Sequence, residues 1–339
     1  MSGARILTIA RLELTQRLRS VGWYVLLGIF MVLLLGITAL SFLVFSSNDL
    51  PGAGVFSIIV NFVLLLVVLV SPTLSGNAIN GDRDAATLAP IQVTAATTGD
   101  IMLGKLLAAV ATGCAFLLIA LPFLAVGIFG GGVTPGMFFV SLLVLLLEIV
   151  VVAAMGVGLS GLIARPLFSI AATYLVVAAL VIGTLIAFGL GGAAVRTPVT
   201  HYERGWDESG EPICDSWEEY TFEQPRYDYV WGFLAANPFV VLADATPTEF
   251  DVDGYPRDMF GQITYGVRMA QKAPGSERWD ICDGGYDSQP SPEEQMRDTV
   301  PSWFVGLGIQ LVIAGGLFAG GWSRTRTPAR RLPPGTRIA

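Results

Sequence analysis

Histidine and lysine are almost missing from this chain: one His and two Lys stand against 18 Arg in 339 residues. One histidine, His201 beside Tyr202, cannot build the clusters from which most metal and acid–base centres are assembled, and it reads as a surface residue. Charge is scarce as well. Only 14% of the residues are charged, where soluble domains carry about a quarter. That excludes an ordinary soluble globule, and no nucleic-acid partner is expected. A complete phosphate-binding loop is also absent. Residues 99–106 read GDIMLGKL, but such a loop needs a buried strand before it and a Ser or Thr after its Lys to hold magnesium. Here VTAATT at 93–98 is short and polar, and Leu106 follows Lys105. The chain is expected to bind no cofactor itself.

What is present is apolar sequence in long runs. Hydrophobic residues make up 53% of the chain and gather into six blocks, at 22–46, 55–79, 102–129, 136–163, 168–192 and 301–322. Each is long enough to cross a bilayer as a helix, which takes about 20 residues. A helix is the expected form because a lone apolar run satisfies its own backbone only by coiling. The period-two alternation of a membrane barrel is absent. The first block is too long for a signal-peptide core and lacks a convincing cleavage site, so it is expected to be retained. The expected fold class is an all-α integral membrane protein with six transmembrane helices.

Orientation follows from the basic residues. Outside 196–299 all twelve lie in the N-terminal segment, in the loops after blocks two and four (with Lys105 just inside block three), or in the tail at 323–339. The loops 47–54 and 130–135 contain no Lys or Arg. The positive-inside bias then puts both termini in the cytoplasm, with the chain in a bacterial inner (plasma) membrane.

The segment 193–300 falls outside by the same logic. Between 196 and 299 it carries 21 acidic and 8 basic residues and seven of the nine Tyr, with Pro and Gly scattered throughout. It reads as a small, irregular extracytoplasmic domain of α+β or mixed type. Cys214 and Cys282 are its only cysteines, and an oxidising compartment favours a bridge between them. Closing a loop of about 69 residues would stabilise the domain by about 4 kcal/mol. Cys114, inside block three, reads as a packing residue. The stretch 229–245, YVWGFLAANPFVVLADA, is either domain core or an interfacial or re-entrant helix. Tyr229, Trp231 and Phe233 favour the second. The acidic pairs Asp207-Glu208, Glu218-Glu219 and Glu293-Glu294 lack the spacing of a calcium loop and read as solvated surface.

On the other side of the membrane, residues 4–20 predict an amphipathic helix on the inner surface, with Leu7, Ala10, Leu14 and Leu18 as its apolar stripe. In the loop 77–109, Asp82 is placed to cap a short helix at 83–89, which Pro90 ends. Thr98 or Asp100 opens the third span. Lys105 sits one turn inside that span, where its stem can pack along lipid while its ammonium reaches the headgroups.

The order of features resembles a known family. A surface helix and two spans are followed by acidic–basic–acidic, small residues, Thr-Leu, a Pro, and LGK opening the third span. This is similar to the permease subunit of an ABC transporter of the type-2 exporter superfamily. The resemblance covers 1–192 and 301–322. It implies a coupling helix at about 82–90 that docks on a separate ATP-binding cassette subunit. The matching positions are Asp82, Arg83, Asp84, Thr87 and Leu88, with Gly104 and Lys105 as the membrane-entry motif. It also implies that ATP and Mg are bound by the partner subunit, and that a second permease copy or a relative completes a dimer.

A few polar groups lie within the apolar blocks. Glu148 is the only acid deep in a span, where a charge costs about 2.5–3.5 kcal/mol. It is therefore protonated, paired, or beside a wet pathway. Asn61 in span two, with Pro72, Asn77 and Gln310, reads as helix–helix glue or a kink. The Gly-rich stretches 156–161, 189–192 and 309–321 predict close helix approach. The reading that results is an exporter subunit, itself no enzyme. The rivals are an ATP-driven machine pulling on an extracytoplasmic partner, and an ion-coupled transporter or channel. The last would need more buried charges and an internal repeat.

Overall fold

The computed structural model describes residues 2–45, 50–85, 96–207, 209–280, 282 and 290–326. A first helix, α1 (Gly3–Leu18), precedes α2 (Val21–Val44) and α3 (Gly52–Ser75), and α3 is followed by the short α4 (Asn80–Asp84). Then come α5 (Thr98–Phe129) and α6 (Pro135–Leu162). A composite helix follows, made of α7 (Pro166–Ala178), a π turn (Ala179–Gly183) and α8 (Thr184–Ala194). Among the described residues six helices are long and apolar enough to cross a membrane, the sixth being the last helix, Trp303–Thr325. The chain is a multi-pass membrane protein, and its helices match the six apolar blocks to within a few residues.

Local chemistry sets the helix ends. The Thr97 hydroxyl accepts from the Asp100 amide at 3.2 Å, and the Asp100 carboxylate accepts from the Thr97 amide at 3.0 Å. This reciprocal pair is a capping box, which starts α5 at Thr98. Thr134 caps α6 through the Met137 amide at 3.2 Å, with Pro135 in the first turn. Between α5 and α6 the chain reverses through Gly131 and Gly132, both at positive φ (82° and 79°), a region open mainly to glycine.

The chain divides into two compact units, residues 1–180 with 307–339, and residues 181–306. In the first, α3 is the central helix. Its most apolar stretch is 67% buried and that of α6 is 50% buried, against 22–33% for the other spanning helices. Those outer helices leave most of their apolar surface for lipid. Val55, Phe56, Ile59, Val60, Val63, Leu64 and Val67 fill the centre from α3. α6 meets the last helix without intervening side chains. A Cβ on Gly158 would lie 2.6 Å from the Leu317 backbone, and one on Gly321 2.4 Å from the Gly158 carbonyl oxygen. At one end of this unit Ile79, Ile101, Met102 and Val157 form a cluster against Ile9, Phe318 and Trp322.

The second unit contains β1 (Arg196–Glu203), β2 (Glu218–Pro225), α9 (Trp231–Ala235), α10 (Pro238–Ala245), α11 (Met259–Met269), β3 (Arg278–Trp279) and α12 (Pro292–Arg297). The last helix of the chain is then α13. The strand order is β2-β1-β3. β1 and β2 pair antiparallel from Arg196↔Pro225 to Glu203↔Glu218, and β3 runs parallel to β1. A disulfide joins Cys214 to Cys282, with Cα atoms 6.0 Å apart.

The stretch 229–245 differs from the favoured interfacial reading. Val240, Val241, Leu242 and Ala243 are buried and form core, while Tyr229 and Phe233 stay exposed. Asn237 explains the break between α9 and α10. Its Oδ1 accepts from the Phe239 amide at 3.0 Å, and its Nδ2 donates to the Val181 carbonyl at 2.8 Å and Thr184 Oγ1 at 3.1 Å. It thus caps α10 and also binds a carbonyl of the π turn. Asp244, at the end of α10, accepts from Arg268 Nε at 2.7 Å, Ser302 Oγ at 2.9 Å and the Trp303 amide at 3.0 Å.

Candidate functional site

The polar centre of the first unit is built where α1, α4 and α5 meet. α1 follows the first turns of α5, and contacts occur in the same order along both helices. The Ser2 amide donates to Asp100 Oδ1 at 2.9 Å. Ile9 lies against Gly104, where a Cβ would stand 2.8 Å from the Ile9 side chain. Glu13 pairs with Lys105. Arg17 donates to Thr112 Oγ1 at 2.7 Å and to the Leu74 carbonyl at 3.0 Å. Positions 2, 9, 13 and 17 share one face of a helix, so a single face makes all four contacts.

Lys105 is the hub. It is 3% exposed, and its ammonium meets Glu13 from α1 and Asp82 from α4, the latter at 2.7 Å. One cation thereby ties the N-terminal helix, the segment after the second spanning helix and the start of the third. The flanking carboxylates keep some water, with 21% and 24% of their side chains exposed. Burial pushes the Arg17 guanidinium down from its ordinary value, opposed by the nearby Glu13 charge. Two cations and two carboxylates therefore balance within the cluster. Ser160 of α6 completes the support, because its hydroxyl accepts from the Ile79 and Asn80 amides at 2.9 and 3.1 Å where α4 begins.

Several sequence expectations are corrected here. Lys105 does not snorkel to headgroups, because two carboxylates hold its ammonium inside the protein. Asp82 does not cap a helix at 83–89; it lies within α4, whose N-cap position is Ile79. On α1, Ala10 is buried while Leu7 and Leu18 of the predicted stripe are 44% and 55% exposed, and Ile9 packs against Gly104 of α5. The GDIMLGKL segment lies within the first turns of α5.

The other predicted positions are dispersed. Arg83 donates to Asn80 Oδ1 at 3.2 Å, and Asp84 is exposed. Thr87 and Leu88, with most of the expected 82–90 helix, lie outside the described residues. Asn61 donates to the Ser57 carbonyl of its own helix at 2.9 Å, so that donor does not glue two helices. Glu148 is fully buried on α6 beside the Gln310 side chain of α13, distant in sequence from the Lys105 hub. Among the described residues no group of three His, Cys, Asp or Glu is placed to hold a metal ion.

Glu13, Arg17 and Ser160 were missed by sequence reasoning. Glu13 had one legible signal: it is the only acid among four arginines in the N-terminal segment. Fold and hub together define a six-helix membrane protein with a mixed α/β unit inserted before its last spanning helix. No family model matches the chain, and no curated protein matches it.

Proposed function

We propose that this chain is the membrane-spanning subunit of an ATP-driven exporter of the type-2 ABC kind. It pairs with a second copy or a related permease around a translocation path. ATP and Mg are bound by separate ATP-binding cassette subunits. Both termini face the cytoplasm of a plasma membrane, as the basic residues argue, and residues 193–300 lie outside. The observation that supports this reading best is the Lys105 hub. A push on the segment after the second spanning helix reaches Asp82, and through one ammonium reaches α1 and the third spanning helix together. The exposed Leu7, Leu12 and Leu18 of α1 then rest on the inner leaflet.

The decisive experiment is reconstitution with the cognate ATPase. Lys105→Met should leave ATP hydrolysis by the partner largely intact while transport is lost. ATP hydrolysis by the purified chain alone, or labelling of 82–90 from outside intact cells, would sink the proposal.

A second reading is favoured by the ties inside unit two. Asp244 holds the start of α13 through Ser302 and Trp303, and Asn237 holds Val181 in the fifth spanning helix. A machine that passes motion outward to an extracytoplasmic partner would need such ties. Transport by vesicles lacking any external partner decides for the exporter.

A further inference from the structure

β2 forms one edge of the sheet in unit two. The strand is eight residues long, stands at the end of the order β2-β1-β3, and exposes both faces from Glu218 to Glu223. No described strand pairs with that edge. Natural edge strands are usually shortened, bulged, or guarded by charged side chains or Pro. Here the guarding charges are all acidic, Glu218, Glu219 and Glu223, the only Pro is the terminal Pro225, and no Lys or Arg occurs in EEYTFEQP.

Its side chains alternate with a definite chemistry. One face presents Glu218, Tyr220 and Phe222, with Tyr220 50% and Phe222 48% exposed. Phe222 is held in place by stacking on His201 at 4.8 Å, and His201 Nε2 is 3.0 Å from Gln224 Nε2. The other face presents Glu219, Thr221 and Glu223, with Thr221 bonded to Thr200 across the pair at 2.8 Å. An aromatic row and an acidic row therefore flank this edge. Pairing with β2 of a second copy would set glutamates against glutamates, which is unfavourable.

We propose that β2 accepts an extended segment of another polypeptide as a fourth strand. That segment carries basic residues at alternate positions, over Glu219 and Glu223, and apolar residues between them, over Tyr220 and Phe222. Main-chain bonds supply affinity and the two rows supply selection. The proposal stands apart from the exporter reading, because it concerns unit two alone.

The test uses full-length protein in phosphatidylcholine nanodiscs and a fluorescent octapeptide alternating Lys and Val. Binding is expected to be saturable and to weaken with salt. Glu219→Gln with Glu223→Gln should weaken it about fivefold, and Tyr220→Ala with Phe222→Ala about tenfold. Methylating the peptide's backbone amides, which leaves its charge unchanged, should abolish binding to the unaltered protein. Equal binding of the methylated peptide would reduce the surface to electrostatic adhesion and overturn the proposal. So would tight binding of a Glu-Val peptide, no binding at all, or crosslinks between β2 strands of two copies without peptide.

Discussion

Lys105 and Asp82, 23 positions apart in the sequence, meet at 2.7 Å between the third spanning helix and the short helix after the second. The same ammonium holds Glu13, so its removal strands two carboxylates rather than one. Lys105→Met is expected to destabilise the protein by about 3 kcal/mol, at the low end for broken buried pairs because both carboxylates keep some water. Adding Glu13→Gln and Asp82→Asn should recover much of that loss. Thermal unfolding of the purified protein in detergent gives the comparison. A triple variant as unstable as the single one would show that stranded charge is not the cause.

The close contact of α6 with α13 makes a sharper packing test. Gly158→Ala would force a Cβ onto Leu317 and Phe318 backbone atoms at 2.6 Å, whereas Gly315 and Gly316 have nothing within 4 Å. The first substitution should cost about 2 kcal/mol. Gly316→Ala should be neutral or slightly stabilising, since alanine favours a helix. Equal midpoints for the two variants would contradict the approach described.

Unit two carries a pH dependence of unusual sign. Asp258 caps α11 through the Gly261 amide at 2.7 Å, is 2% exposed, and burial pushes its carboxyl up to about 6 from 3.8. Between those values the folded state binds more protons than the unfolded one. Its ionisation therefore lowers stability as pH rises from about 4 to 6, by about 3 kcal/mol in all. The cost is fully present above the folded value and absent below the unfolded one. Asp258→Asn keeps a capping oxygen and should gain stability over the parent at pH 7.5 but much less at pH 4.5. Urea unfolding at both pH values measures the gap, and a gap that does not change with pH would refute the assignment. Taking the difference removes groups shifted the other way, such as Asp228, held down chiefly by its bond to Arg226.

Opening the Cys214–Cys282 bridge by Cys214→Ser with Cys282→Ser should destabilise unit two by about 4 kcal/mol, given a separation of 68 residues. Limited proteolysis should then cut between 196 and 299 well before it reaches the spanning helices. Simultaneous loss of both units would mean they unfold as one.

The spanning helices were legible because lipid demands uninterrupted apolar sequence, and that demand is local to each run. The disulfide was legible by elimination, with only two cysteines in 196–299. The start of the third spanning helix was legible to within a residue or so, because Thr97 and Asp100 bond each other's amides across three positions; the short helix before it starts at Asn80, three residues ahead of the predicted 83. The ion hub was not legible. Lys105 was read as an ammonium reaching the headgroups, and nothing beside it in the chain points to Glu13, which is 92 positions away.

The sequence by itself determined the number of spans, the side on which basic residues accumulate, and the insertion of an acidic unit before the last span. Each is a sum over a contiguous stretch. Only the tertiary structure decided which face of α1 is buried, which residues share the Lys105 ammonium, that part of 229–245 is core, and that β2 stands at the end of its sheet. These depend on pairwise distances between segments, and such distances exist only once the chain has packed.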